Sequence, residues 1–461
     1  DAAVERAVIS VKLWRNRLSL RRSSPIAVAW LNSLQSPKFT ISASFRKFTE
    51  TAYASSSSKL RLDRIGLRGS GRKDESGMLA ARMYGYKQPL VLEEVDPPVI
   101  AANEVLVKVE AAGMCRTDVQ LLEGYFKDYL PLAFPAIPGH EIAGSVEQIG
   151  SLVPESAQLA IGDQVVVAGG WGDGTCRQCR RGDTQICAHG RWPGFGAYGG
   201  YSEFVPVPHQ YLIRVDRKYK LKAEELAPLT DAGLTPYRGM KKLRSAGVLD
   251  PDRVVAVFGV GGLGAYAVQY AKLLSSGATV VAFARSDEKL AIAKENGADH
   301  VINTKGKSLA DIRSELLKAT GHSEIDAGLD CAGAEETIQL GFSLLTTSGA
   351  FVSVGLVGNR INIPLFPFVG REFTYHGSFW GNYSDLSEVV ALAQAGKIRH
   401  TLKRVRFEEV NENLEMLRGG DIIGRAVLIF HDAADRNQVD KGETVNKVSG
   451  SFSVPSGLEG S

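Results

Sequence analysis

Val254–Phe258 and Val280–Phe283 are short, unbroken apolar runs. A run without alternation is what a strand buried on both faces requires. Between them, Ala265–Leu274 carries apolar residues at helical spacing. His300–Asn303, Ala327–Asp330 and Ala350–Val354 read as the next strands, and Phe373–Phe379 closes the series. Strands that alternate with helices predict a parallel, doubly wound sheet. Upstream the pattern changes. Leu79–Val95 and Glu104–Ala112 read as strands. In the second, Val105, Val107 and Val109 alternate with Leu106, Lys108 and Glu110, which predicts a strand at least half buried. Gly162–Val167 turns into another strand, and Ala223–Ala232 reads as a helix. Downstream, a helix (Asp385–Ala395), a strand (Thr401–Phe407), a helix (Glu409–Arg418) and a strand (Arg425–Phe430) finish the compact part. From His431 to Ser461 the chain is polar and aperiodic, so residues 432–461 are expected to form a disordered tail.

Residues 1–77 stand apart. From Arg6 to Leu62 there are eleven Lys/Arg, twelve Ser and a single acid, Glu50. That bias matches a mitochondrial or plastid transit peptide. The other reading is a non-native extension before Met78, and the sequence leaves both open. The expected location is accordingly cytoplasmic, or mitochondrial or plastid if the segment is a genuine targeting sequence. The remaining length accommodates two domains within 461 residues. A net charge of +3 is too small to point to nucleic acid, and no apolar run reaches the ~18 residues of a membrane span.

Gly259, Gly261 and Gly264 follow the first buried run at G-x-G-x-x-G spacing. Strand, glycine turn, helix, strand is the opening unit of a dinucleotide-binding fold. The turn (Gly259, Gly261, Gly262, Leu263, Gly264) should lie under the pyrophosphate, with the helix N-terminus supplying free amides. An NAD site would place an acid at the end of the second strand. Here Ala284 is followed by Arg285 and Ser286. The guanidinium of Arg285 suits a ribose 2′-phosphate, which favours NADP over NAD. The alternative is a solvated Arg285 with Asp287 capping the next helix.

Five Cys is an odd number, and three of them fall within Cys176–Cys187. That argues for thiolates on a metal rather than for disulfides. Cys176 and Cys179 can chelate one ion from a single turn, and Cys187 returns to complete the set. The nearest fourth ligand is Asp173, with His189 as its competitor. Four filled positions would make a structural zinc site. Arg177, Arg180 and Arg181 are placed to offset its negative charge. Cys115, His140 and Asp231 are each unremarkable alone, and their spacing does not join them.

Gly139-His140-Glu141-x2-Gly144-x5-Gly150 resembles the signature of zinc-containing alcohol dehydrogenases, in the medium-chain dehydrogenase/reductase family. The Cys115-Arg116-Thr117-Asp118 box, the cysteine loop, Leu229-Thr230-Asp231-Ala232-Gly233 and the glycine turn follow in that family's order, and the resemblance covers about 78–430. It implies an α/β fold: a Rossmann domain with a doubly wound parallel sheet (235–381) and a mainly β GroES-like catalytic domain in two segments (78–234 and 382–431). It implies reversible hydride transfer between a primary or secondary alcohol and NAD(P), with one catalytic and one structural zinc per subunit. The catalytic zinc would sit on Cys115, His140 and Asp231, with Glu141 as alternative ligand. Asp118 would orient His140. Arg116 and Arg425 would meet the pyrophosphate, with Arg425 also near Glu141. Thr117 would accept the alcohol proton. Gln120 stands where the family often ends this relay in His, and it cannot act as a base. Tyr125, Phe126, Trp192 and Trp380 are candidates for the pocket wall. The resemblance also implies a homodimer or homotetramer paired along Phe373–Phe379, and no nucleic-acid or membrane partner. Two alternatives share these motifs: a zinc-free quinone or enone reductase, and a nucleotide-binding protein without catalysis.

Overall fold

The computed structural model describes residues 77–430 and the backbone of 444–447. The expected targeting segment, and most of the expected tail, lie outside the described residues. No helix among the described residues is long and apolar enough to cross a membrane.

The chain begins with β1 (Met78–Arg82) and β2 (Val91–Val95). Leu79–Val95 is therefore not one strand. The two halves pair antiparallel, Met78 opposite Val95 and Arg82 opposite Val91. Gly85 and Pro89 lie in the connection, where turn residues break a strand. β3 (Glu104–Met114) leads into α1 (Arg116–Glu123), followed by β4 (Glu141–Ile149), β5 (Gln164–Val167), β6 (Phe204–Pro208) and β7 (Leu212–Arg214). β3 is buried along most of its length, and β4, β6 and a later strand pair along its edges. Ala223–Ala232 is not a continuous helix. A single turn (Ala223–Leu226) passes into a 3₁₀ turn, Ala227–Thr230, with Pro228 near its start.

α2 (Leu234–Ser245) then opens the second sheet. β8 (Val254–Phe258), α3 (Gly262–Leu274), β9 (Thr279–Ala284), α4 (Asp287–Glu295), β10 (His300–Asn303) and α5 (Leu309–Thr320) form its first half. β11 (Ile325–Asp330), α6 (Glu335–Leu344), β12 (Leu345–Ser353), α7 (Leu365–Gly370) and β13 (Thr374–Gly377) form its second. The order is β10-β9-β8-β11-β12-β13, all parallel. This is the doubly wound order, and its strand order reverses between β8 and β11, where such sheets bind ligands. Along β8, Val255 and Val257 enter the core on one face, while Val254, Ala256 and Phe258 enter the core on the other. That two-sided burial is why the run has no polar alternation.

α8 (Tyr383–Gln394) packs on α2, where Arg238 and Lys241 both reach Asp385 at 2.8 Å. β14 (His400–Arg406), α9 (Val410–Gly419) and β15 (Arg425–Ile429) return to the first sheet, β15 pairing with β3. Within the expected tail, β16 (Thr444–Lys447) pairs antiparallel with β14.

Candidate active site

β3 ends by delivering Cys115, which caps α1. His140 precedes β4, and Glu141 is its first residue. The 3₁₀ turn before α2 presents Asp231. These four side chains, far apart in sequence, converge with one donor atom each inside 4.8 Å. Cys115 Sγ and His140 Nε2 both lie 3.5 Å from Asp231 Oδ2. Around a tetrahedral zinc, with Zn–S of about 2.3 Å and Zn–N or Zn–O of about 2.0 Å, adjacent donors are roughly 3.3–3.5 Å apart. The donor set therefore fits one zinc ion.

The surroundings fix each donor. Asp118 Oδ1 sits 3.1 Å from His140 Nδ1, which leaves Nε2 for the cluster. Asp118 is itself held by the Cys115 N–H (2.8 Å), the Gly139 N–H (3.2 Å) and the Tyr201 hydroxyl (2.9 Å). Thr235 donates to Asp231 Oδ1 at 2.6 Å. Glu141 Oε1 accepts from Arg425 Nη2 and the Ala232 N–H, while its buried Oε2 has no partner among the described residues. Burial pushes the Glu141 carboxyl up to about 8 against the pull of Arg425. Burial opposes a charge on His140, yet Asp118 and Asp231 outweigh it and raise the imidazole well above its ordinary value. The cluster thus draws a cation, and a proton on His140 is the competitor of a metal there.

The cysteine loop brings together Asp173, Cys176, Cys179 and Cys187 within the same 4.8 Å limit, and His189 is not among the donors. Cys176 Sγ and Cys187 Sγ are 3.7 Å apart, far beyond a disulfide bond and close to the tetrahedral edge of about 3.8 Å for two zinc thiolates. Cys179 Sγ lies 3.5 Å from Asp173 Oδ1. Burial and the neighbouring thiols push Cys179 up to about 12, so a set of thiolates here needs a dication. Arg177, Arg180 and Arg181 are exposed around the loop. Asp183, inside it, pairs with Arg238 of α2 at 2.9 Å.

Between the two sheets lies a cavity of about 1270 Å³, larger than the ~300–1,000 Å³ of a drug-sized site and roomy enough for a dinucleotide with a substrate. Cys115, Arg116, Thr117 and His140 line one side, and the glycine turn from Gly259 to Leu263 lines the other. A Cβ on Gly264 would stand 1.9 Å from the Gly259 carbonyl, so only glycine lets α3 start this close to β8. Arg425 lies against Gly262, near the N-terminus of α3. Arg116 donates to the carbonyls of Leu417 and Arg418. At the end of β9, Arg285 is exposed, Ser286 is the N-cap of α4, and both line the cavity. Asp287 is not the cap; it lies in the first turn and accepts from Asn303 at 2.6 Å. Lys289 and Lys305 line the same end.

Around the cluster the wall is aromatic. Trp380 stands 5.6 Å from the His140 ring and Phe195 5.8 Å from it. Trp192 meets Phe195 and Phe379 edge-on. Gln120 donates to the Leu356 carbonyl, and Tyr125 to the Gly358 carbonyl at 2.9 Å, so both span the cleft to one loop of the second sheet.

Two family models match this chain: an alcohol dehydrogenase GroES-like domain over residues 101–217, and a zinc-binding dehydrogenase domain over residues 262–395. An NAD-dependent alcohol dehydrogenase of Saccharolobus solfataricus is 37% identical over 360 residues, 76% of this chain and 100% of that protein. The chain belongs to the zinc-containing alcohol dehydrogenases of the medium-chain dehydrogenase/reductase family. A D-arabinose 1-dehydrogenase (NADP(+)) of the same organism is 34% identical, over 76% of this chain and 97% of its own. Among solved structures, the alcohol dehydrogenase of Aeropyrum pernix is 36% identical with a TM-score of 0.70, covering 76% of this chain and all of that one. An acetophenone reductase from Geotrichum candidum, solved with NAD, is 30% identical with a TM-score of 0.69, covering 78% and 98%.

The fold therefore sets Cys115, Arg116, Thr117, His140, Asp231 and the glycine turn around one cleft. Tyr125, Phe126, Trp192 and Trp380 all line it. Phe195, Phe379, Tyr201 and the two lysines are additional, and nothing in their local sequence marks them. Thr235 had a signal: it follows Asp231 by one helical turn.

Proposed function

We propose that this chain is a zinc- and NAD(P)-dependent alcohol dehydrogenase that moves hydride reversibly between an alcohol and its aldehyde or ketone. The observation that carries the reading is the buried cluster of Cys115, His140 and Asp231 in the cleft where the glycine turn opens. Cys115, His140 and Asp231 would hold the catalytic ion, with Glu141 held close by Arg425 as an exchange ligand. Zinc at such a site supplies a Lewis acid for the substrate oxygen. The nicotinamide supplies the hydride chemistry. Asp118 positions His140, and Thr235 positions Asp231. Thr117, two residues after Cys115, takes the proton of the substrate hydroxyl. Gln120 has no titratable group, and its amide is engaged by Leu356, so the proton continues to water in the cleft.

The α3 N-terminus, with Arg425 beside Gly262, receives the pyrophosphate, and Arg116 attends it from across the cleft. Arg285, with Lys289 and Lys305 nearby and Ala284 in place of an acid, takes a 2′-phosphate, so NADP is the preferred cofactor. Asp173, Cys176, Cys179 and Cys187 hold a second, structural zinc. β13 is the edge of its sheet among the described residues, and two copies pair along it. The deciding experiment is initial rates over primary and secondary alcohols, each with NAD and with NADP. Turnover with a preferred pair supports the reading; no turnover by protein carrying two zincs overturns it.

A further inference from the structure

Tyr201 follows Gly199-Gly200 and precedes β6. It is fully buried, among the largest side chains of the core. The backbone here is already tied to the segment that carries His140. The Tyr201 N–H donates to the Pro138 carbonyl at 3.0 Å, and the Gly200 N–H to the Gly139 carbonyl at 2.7 Å. The ring lies against Gly139, whose φ is +92°. A Cβ on Gly139 would stand 2.5 Å from the ring carbon Cδ1, so glycine there both permits the turn and makes room for the ring. Phe would serve all of this packing equally well. The hydroxyl is the addition, and it donates to Asp118 Oδ2 at 2.9 Å.

Asp118 is 1% exposed. Its Oδ1 faces His140 Nδ1 and accepts from the Gly139 N–H, while Oδ2 accepts from the Cys115 N–H and from Tyr201. One carboxylate therefore meets Cys115 through its backbone and His140 through its ring. A carboxylate taken out of water needs its oxygens satisfied. Without the phenol, Oδ2 would keep only the Cys115 amide, and the carboxylate would be freer to turn about its soft terminal torsion.

We propose that Tyr201 is a positioning residue for the catalytic zinc, acting through Asp118 on His140 and Cys115. This rests on the zinc reading of the cluster above. Losing a direct partner of a ligating histidine costs about 10–100-fold in metal affinity. Tyr201 stands one step further out, so the low end of that range is expected.

The test follows zinc release from the loaded full chain into 4-(2-pyridylazo)resorcinol. The release phase missing from Cys115→Ser identifies the catalytic ion, and the other phase is an internal control. Tyr201→Phe should release the catalytic zinc about tenfold faster and the structural zinc within twofold of wild type. Adding Tyr201→Phe to Asp118→Asn should change the rate less than twofold, since a residue that acts through Asp118 has nothing further to lose. Wild-type release from Tyr201→Phe, or both zincs leaving faster alike, overturns the assignment, and this comparison decides it even if Asp118→Asn does not load. A full tenfold effect that persists in Asp118→Asn overturns the route through Asp118. A wild-type chain that binds only one zinc would sink the zinc reading itself, a distinguishable result that takes this assignment with it.

Discussion

Asp231 gives the cluster an oxygen donor beside one cysteine sulfur and one imidazole. With a dication the set is then nearly neutral, and zinc keeps its electrophilic character. Cys115 would be the sulfur ligand of the proposed centre, and its replacement tests that centre directly. Cys115→Ser should lower the zinc content from two to one per chain and abolish alcohol oxidation. NAD(P)H binding, read by fluorescence titration, should persist because the glycine turn is untouched. Retained activity would refute the assignment. At the other end of the cleft, Arg285→Ala should raise the Kd of NADPH about tenfold or more and that of NADH less than twofold; equal effects would remove the 2′-phosphate role. Residue chemistry was legible here only in part. The cysteine loop could be read from spacing, because its donors lie within fifteen residues of one another. Cys115, His140 and Asp231 needed the resemblance, because the fold alone brings them together. Tyr201 left no trace in sequence, since its meaning comes from what it packs against.

Elements buried on both faces were the readable ones. β8 and β9 match their apolar runs because no solvent-facing alternation competes there. The hairpin of β1 and β2 is hard to read as two strands because its turn residues, Gly85 and Pro89, are separated and form no adjacent pair of the Asn-Gly type. The short β6 and β7 were unread, since their partners β3 and β5 are remote in sequence. A contact between elements with no sequence signature is the pair of hydrogen bonds from Gln120 and Tyr125 to the loop after β12. They tie the chain around α1 to that loop across the cleft. A hydrogen bond of this kind contributes about 1 kcal/mol net. Tyr125→Phe should therefore speed NAD(P)H dissociation about fivefold in stopped-flow displacement, with Tm little changed. An unaltered off-rate would show that the bond does not control closure.

At the scale of the whole molecule, the two sheets join where β14 meets α3. Gln269 of α3 exchanges two hydrogen bonds with the Arg399 backbone, at 2.8 and 3.0 Å. Beside it the Tyr266 hydroxyl lies 3.1 Å from His400 Nδ1. Burial depresses His400 to about 4. A histidine whose folded value lies below its unfolded 6.5 binds its proton more readily when unfolded. Stability is then unaffected above about pH 6.5 and falls as the pH drops from there towards 4. The full difference of about 2.5 units corresponds to at most about 3 kcal/mol. His400→Gln cannot titrate and should not suffer this loss. Urea unfolding of both proteins at pH 7.5, 6.5, 5.5 and 4.5 should show the wild type losing about 2–3 kcal/mol more than the variant across that range. Metal release in acid affects both proteins alike, so the difference isolates the histidine. Parallel pH profiles would mean that the junction between the sheets owes its acid response to other groups.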